Sequence, residues 1–236
     1  MPGITVIIPT LNEAAAIAQV IAELPRDIIT EIIVADSGST DGTPAIAQAA
    51  GAKILALAQR GYGRACAAAA SAAHPDCDIL VFMDGDGADR ADLIGQLTAP
   101  IRAGTHDFVL ATRAKPLREP GSMSAHQIIA GHVLGYAIGL LTGVRYSDMC
   151  AFRAIRRENL ARLGMREMTY GWNIEMQMQA ARAGLRVLEI PLPYRRRAGG
   201  ESKVAGSLRG TIRASWRILA TFLRVAISSR PSTAPR

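Results

Sequence analysis

The stretch Asp78-Ile-Leu-Val-Phe-Met-Asp84-Gly-Asp86-Gly-Ala-Asp89 decides the fold. An apolar, β-leaning run ends abruptly in three carboxylates separated by small residues. A short continuous apolar run bounded by turn residues predicts a buried strand, of the kind found in parallel sheets. In open α/β sheets ligands sit outside the carboxyl ends of the strands. Asp84, Asp86 and Asp89 therefore fall at the expected ligand edge. Gly85 and Gly87 would let the backbone bend and a bulky ligand approach closely. Hard carboxylate oxygens at this spacing suit Mg2+ or Mn2+, held jointly with substrate phosphates. The bland alternative is a solvated acidic turn ahead of a helix over 91–101.

Outward from this stretch, the chain alternates strand and helix. Residues 4–8 form a β-branched run stopped by Pro9-Thr-Leu-Asn-Glu13, and Asn12 or Thr10 can cap a helix over 14–24. Residues 31–36 are a second buried strand, again ending in a carboxylate, Asp36. The turn Ser37-Gly-Ser-Thr-Asp41-Gly-Thr43 follows, with Thr43 as cap and Pro44 at the first helical position of a helix over 45–50. A third strand covers 53–58, and Arg60-Gly61-Tyr62-Gly63 opens a helix reaching Ala73. The quoted stretch supplies the fourth strand, and 108–112 a fifth that ends at Arg113. This alternation predicts right-handed crossovers and a parallel sheet. Gly61-Tyr-Gly63 is not a dinucleotide fingerprint, because Cys66 replaces the third glycine and the motif follows the third strand rather than the first. Arg60 and these glycines would instead lie near a diphosphate, or form a plain tight turn.

The 236 residues fit one domain with an ample core, or one domain plus a short appendage. The net charge of +7 is uneven, with Arg and Lys gathered after Arg153. Such asymmetry points to an anionic partner: phosphates, an anionic membrane surface or nucleic acid. No interleaving of basic and aromatic residues supports nucleic acid. Cys66, Cys77 and Cys150 are odd in number and lack metal spacing, which fits a reduced, cytoplasmic protein. The N-terminus enters a strand directly, without a charged leader and apolar signal core.

Two later segments raise the question of a membrane. Residues 128–144 are apolar but interrupted by Gly131, His132, Gly135, Gly139 and Thr142, and their length is marginal for a span. They predict a helix that is partly buried or lies at a lipid interface. In 207–227, Ile212, Trp216, Leu219, Leu223 and Ile227 fall at helical spacing, flanked by Arg209, Arg213, Arg217 and Arg224. This pattern predicts an amphipathic helix on the inner face of a membrane, or else one packed on its own domain or on a homodimer partner. Between them, residues 169–178 read as a helix presenting Glu175 beside Tyr170 and Trp172, and residues 185–193 as a late strand leading into Arg195, Arg196 and Arg197. The domain would then run over 1–205, the basic helix over 206–228, and a disordered tail over 229–236.

Five segments stand in an order that resembles the family-2 glycosyltransferases of the GT-A fold. They are Val6-Ile-Ile-Pro-Thr-Leu-Asn-Glu13, Ile33-Val-Ala-Asp36-Ser-Gly-Ser-Thr-Asp-Gly-Thr43, Met83-Asp-Gly-Asp86, Ser147-Asp148-Met-Cys-Ala-Phe-Arg153-Ala-Ile-Arg156-Arg157 and Gly200-Glu-Ser202-Lys203-Val. The nearest branch looks like the bacterial dolichyl-phosphate mannosyl- and glucosyltransferase-like proteins. The resemblance implies an α/β architecture with a Rossmann-like, mostly parallel central sheet flanked by helices, extended here by the C-terminal amphipathic helix. It implies that Pro9, Leu11 and Glu13 line the nucleoside pocket, with Glu13 near the ribose, and that Asp36 faces the base. Asp84 and Asp86, with Gly85 between them, would flank the sugar diphosphate, Asp86 being the principal metal ligand. Arg113, Arg153, Ser202 and Lys203 would meet phosphate oxygens on donor or acceptor, and Asp148 would stand at the acceptor side. Relatives place Gln where this chain has Ala88, and lipid-phosphate users often carry an Arg in 124–135, where this chain offers His126, Gln127 and His132.

The chemistry agrees with that assignment. Breaking a sugar–phosphate bond builds negative charge on the departing nucleoside diphosphate, which a divalent metal and fixed cations stabilise. A hydroxyl acceptor needs a base, for which Asp148 is the candidate; a phosphate acceptor needs only cations, with Asp148 orienting neighbours such as Arg153. The expected activity is metal-assisted hexosyl transfer from a nucleotide sugar of the UDP-glucose or GDP-mannose type to a lipid-linked phosphate, with inversion. The alternatives are a soluble phosphorylated acceptor, or a catalytically weak nucleotide-sugar-binding scaffold. A nucleotidyltransferase would need a glycine-rich basic loop where Pro9-Thr-Leu-Asn-Glu13 stands.

Overall fold

The structure, a computed structural model, describes residues 3–113, 116–199 and 208–228, with only the backbone described at 208 and 209. The apolar runs become strands β1 (Gly3–Thr10), β2 (Glu31–Asp36), β3 (Lys53–Ala56), β4 (Cys77–Phe82) and β5 (Phe108–Thr112). Two further strands, β6 (Arg153–Arg156) and β7 (Val187–Pro191), complete one seven-stranded sheet in the order β3-β2-β1-β4-β6-β5-β7. Pairing is parallel at β1–β2, β2–β3, β1–β4 and β5–β7. It is antiparallel where β6 inserts between β4 and β5, so the sheet is mostly parallel, as expected. β1 has β2 on one side and β4 on the other, so the strand order reverses there. A crevice opens at such a switch point, between the carboxyl ends of β1 and β4.

The helices are α1 (Ile17–Ala22), α2 (Thr43–Ala49), α3 (Tyr62–Ala72), α4 (Ile94–Arg102), α5 (Ala125–Thr142), α6 (Arg157–Arg162), α7 (Trp172–Arg182) and α8 (Leu208–Ile227). Alternation along the central strands feeds two cores. Ile4, Val6 and Ile8 of β1 join Val81 of β4 and the apolar faces of α1 and α4. Ile7 of β1 joins Leu80 and Phe82 of β4 and the faces of α3 and α7 on the opposite side. Burial on both faces explains why these strands read as unbroken apolar runs. The glycines of α5 are explained by close packing. A Cβ on Gly135 would lie 1.9 Å from the Tyr146 carbonyl oxygen, so the helix seats the segment that carries Asp148.

α8 lies on α7 with Ala214, Thr221 and Val225 buried. Two of its basic residues turn inward: Arg224 meets Glu175 at 3.0 Å and Arg217 meets Glu167 at 3.4 Å. No helix among the described residues is long and apolar enough to cross a membrane.

Candidate active site

The loop after β4 is built from its own carboxylates. Asp89, 4% exposed, accepts the Asp84 N–H at 3.2 Å, and Asp86, 3% exposed, accepts the Ala88 N–H at 2.9 Å. Asp84, just past the carboxyl end of β4, is half-buried. Burial and then the neighbouring Asp86 push its carboxyl up, to about 7. Burial and then Asp84 push Asp89 up as well. Anions crowded in this way draw a cation, and Arg197 supplies one. Its Nη1 donates to Asp86 at 2.6 Å and its Nη2 to both Glu13 oxygens at 3.0 and 3.1 Å. Gly85 also lacks room for a side chain, because a Cβ there would sit 3.1 Å from Thr10 Cγ2 and 3.2 Å from Ile8 Cγ2 on β1.

The donor set fits a divalent cation. Among the described residues there is no ready-made group of three or more metal-ligating side chains. Mg2+ and ions like it bind through one or two carboxylates and complete their shell with water and substrate phosphates. Asp84 and Asp86, hard oxygen donors whose mutual repulsion a cation would relieve, would provide that partial shell.

At the end of β1, Asn12 adopts a positive φ of 55°, where a short amide side chain is tolerated. Its backbone N–H donates to Ser39 Oγ and its Oδ1 accepts the Thr40 N–H, while the Glu13 N–H donates to Thr43. These contacts join the loops after β1 and β2 into one wall, with Pro9 and Leu11 half-buried along it. Asp36 differs from the expectation that it faces a base. One oxygen accepts the hydroxyls of Thr10 and Ser39, and the other the N–H groups of Gly38 and Ser39. Its carboxylate shapes the 37–43 loop.

On the other side of the crevice, Asp148 and Arg113 form a two-pronged pair, with Nε to Oδ2 and Nη2 to Oδ1 both at 2.7 Å. Burial alone would raise the Asp148 carboxyl, but the Arg113 guanidinium outweighs it and holds the group below the usual carboxylate range. A carboxylate so engaged is a poor base. Arg113 also lies over the Tyr194 ring, 5.1 Å from its centroid, and its charge reaches Asp84.

Arg153 departs most from expectation. It is 0% exposed, and its guanidinium donates to the carbonyls of Cys150, Ala151 and Asn173. It braces the chain that follows Asp148 and does not reach a phosphate. Gly61 and Gly63 are likewise structural. A Cβ on either would fall 2.4 and 2.3 Å from the Met168 and Glu167 carbonyl oxygens, so their small size admits the 167–169 backbone. Arg60 is exposed at the start of α3. Ser202 and Lys203 lie outside the described residues. The fold thus gathers Glu13, Asp84, Asp86, Arg113 and Asp148 around the switch point. The residue underread in sequence is Arg197, masked within a run of three arginines.

Comparison with known proteins places this geometry. The description of glycosyl transferase family 2 matches residues 5–164. An uncharacterized glycosyltransferase of Mycobacterium tuberculosis is 32% identical over 212 residues, 89% of this chain and 93% of that one. A dolichyl-phosphate hexose transferase of Haloferax volcanii is 32% identical over 200 residues, 83% of this chain and 84% of that one. Among solved structures, glucosyl-3-phosphoglycerate synthase of Mycobacterium tuberculosis in complex with phosphoglyceric acid is 26% identical and superposes with a TM-score of 0.76, covering 95% of this chain and 80% of that one. The same enzyme with Mn2+, UDP-glucose and glycerol 3-phosphate is 25% identical, with a TM-score of 0.75 and the same coverage.

These structures correct three expectations: the dolichyl-phosphate branch, the lipid-linked phosphate acceptor and membrane association. The matching folds are those of an enzyme crystallised with small phosphorylated acids. Gln127, in the segment where an Arg was sought, forms a capping box with Ser124 at the start of α5. Arg217 and Arg224, placed beside the apolar stripe of an amphipathic helix that could lie on lipid or on its own domain, pair with Glu167 and Glu175 of the domain. With its α/β sheet, its switch-point carboxylates and a match across 5–164, the chain belongs to glycosyl transferase family 2 and is a hexosyltransferase of the GT-A fold.

Proposed function

We propose that this enzyme transfers a glucosyl group from UDP-glucose to a small, water-soluble phosphorylated acceptor, with Mn2+ or Mg2+ bound beside the donor diphosphate. The observation that carries the reading is the facing of two charge systems across one crevice. Asp84 and Asp86 stand on the donor side, and the Arg113–Asp148 pair stands opposite. The names of the solved relatives support the substrate classes: UDP-glucose and Mn2+ on one side, phosphoglyceric acid or glycerol 3-phosphate on the other.

In this reading Asp86 and Asp84 hold the metal, which supplies Lewis-acid neutralisation of the departing diphosphate. Pro9 and Leu11 wall the nucleoside, and Glu13 lies toward the ribose. Arg113, fixed by Asp148, presents positive charge to a phosphate without having to reorganise, which is where such electrostatic help is most effective. Asp148 acts by orienting Arg113 rather than as a base. Ser202 and Lys203, outside the described residues, are proposed to add phosphate contacts. Direct phosphate roles for Arg153 and Gly63 are set aside, because both are enclosed by the fold.

The test is UDP release from UDP-glucose with Mn2+ in the presence of 3-phosphoglycerate, glycerol 3-phosphate or a short polyprenyl phosphate. Acceleration by one of the first two, lost in Asp86→Ala, is expected. Turnover with the polyprenyl phosphate alone would overturn the acceptor class.

A further inference from the structure

The strap 194–199 crosses directly over the metal-side loop. The Arg195 N–H donates to the Ala88 carbonyl and the Ala198 N–H to the Asp86 carbonyl, each at 2.9 Å, and Tyr194 bridges to Asp89. Its three arginines point three ways. Arg195 pairs with Glu23 through Nη1 at 3.0 Å, and Arg196 Nε donates to the Pro120 carbonyl at 2.7 Å. Only Arg197 enters the crevice, joining Asp86 to Glu13.

We propose that Arg197 is a positioning residue that makes metal binding depend on the donor diphosphate. The inference rests on the proposed function of the site. A guanidinium is always charged and its fork fits carboxylate and phosphate alike. At 2.6 Å it engages Asp86 Oδ2, the oxygen left open by the Ala88 N–H on Oδ1, so a divalent cation bound to Asp86 would compete with it and the two positive charges would repel. A metal arriving alone must displace Arg197 from Asp86 and leave it without that anion. A metal arriving with a nucleoside diphosphate brings Arg197 a replacement anion within the reach of the strap. Arg197 therefore penalises the metal alone and spares the metal–donor pair. By linkage, the donor gains as much from the metal as the metal gains from the donor. Neutralising Arg197 removes the penalty, so the effect on the metal alone is opposite in sign to that of an ordinary loss of structure.

The test uses the full chain and counts unbound Mn2+ by its electron paramagnetic resonance signal, with and without saturating UDP. Wild type, Arg197→Met, Arg197→Gln and Arg195→Met are compared, with thermal melting as the check on folding. Without UDP, Arg197→Met and Arg197→Gln should bind Mn2+ about fivefold tighter than wild type, and the gain on adding UDP should shrink by about the same factor or more, within the usual range of such couplings. Arg195→Met loosens the same strap but leaves the crevice charge alone, and should behave as wild type. The Gln variant keeps a polar contact to Asp86, so it carries the test if the Met variant fails to fold. A folded neutral variant that binds Mn2+ alone no tighter than wild type overturns the proposal, as does Arg195→Met matching the Arg197 variants. Failure of wild type to bind either Mn2+ or UDP would instead overturn the donor-site reading, and this inference with it.

Discussion

Asp148 holds Arg113 at three points: the two guanidinium contacts at 2.7 Å and the Arg113 backbone N–H at 3.0 Å. Both carboxylate oxygens are spent on one arginine and on the Met149 N–H. In the proposed function a group so engaged directs its partner rather than accepting a proton from substrate. Asp148→Asn keeps the shape but removes the charge, and the guanidinium left behind is only 16% exposed at its side chain. Breaking one side of a largely buried pair costs about 3 kcal/mol. Urea unfolding should show that loss as a lower midpoint at unchanged slope. In kinetics the acceptor KM should rise about tenfold, as for a weakened charge contact worth near 1.4 kcal/mol. A fall in kcat of two or more orders of magnitude at constant KM would restore the base.

The same pair sets an acid limit. The Asp148 carboxyl is held below its ordinary value in the fold, so the folded state binds that proton more weakly than the unfolded chain does. Its contribution to stability is therefore complete above the unfolded value, near about 4, and is lost as pH falls through the lower folded value. Melting temperatures of wild type and Asp148→Asn should differ most at pH 5 and above. The gap should close as the pH is lowered below about 4. A gap that widens toward acid would mean that the carboxyl is not held down.

The extent to which the site was legible follows from how local its signals are. Strands that run apolar into aspartate, such as 79–84, announce both burial and the ligand edge, because period and composition agree over a few residues. The identical signal at Asp36 meant something else, since only tertiary contact shows Thr10, Gly38 and Ser39 consuming its oxygens. β6 escaped notice because Arg-Ala-Ile-Arg carries no apolar run, and its strand character comes from β4 and β5 on either side. Arg153 within it looked like a phosphate ligand beside an acid. Its place at the sheet centre instead turns it into the interior, where burial pulls its pKa down and backbone carbonyls receive it. Arg195, Arg196 and Arg197 were indistinguishable as a run, and the pairing of the strap with 86–89 decides which one enters the crevice.

Gly63 offers a test of packing against ligand contact. A Cβ there would lie 2.3 Å from the Glu167 carbonyl and 2.9 Å from the Met168 carbonyl carbon, both backbone atoms with little room to yield. The Gly63 N–H also donates to the Thr169 carbonyl at 3.3 Å, so the approach is part of the bonding of that loop. Gly63→Ala should cost about 1–3 kcal/mol by overpacking, read as a lower urea midpoint. The UDP affinity of the protein that remains folded should match wild type. A selective loss of UDP binding with stability intact would return Gly63 to the donor site.

α8 is bound to the domain by charge as well as by its apolar residues. Glu175 is 0% exposed; one oxygen accepts the N–H groups of Arg166 and Glu167 at 2.9 and 2.7 Å, and the other meets Arg224 at 3.0 Å. Arg224→Met keeps the length of the stem but strands that second oxygen. An unsatisfied buried acceptor costs about 1–3 kcal/mol, and the lower half of that range is expected, because Arg224 is itself 41% exposed at its side chain. Arg213→Met changes an exposed residue of the same helix and serves as the control. Arg224→Met should lower the melting temperature while Arg213→Met leaves it unchanged. Limited proteolysis should then cut the Arg224→Met protein faster around 208–228. Equal melting of the two variants would show that Arg224 contributes nothing to the docking of α8, leaving its packed residues and the Arg217–Glu167 pair to hold the helix.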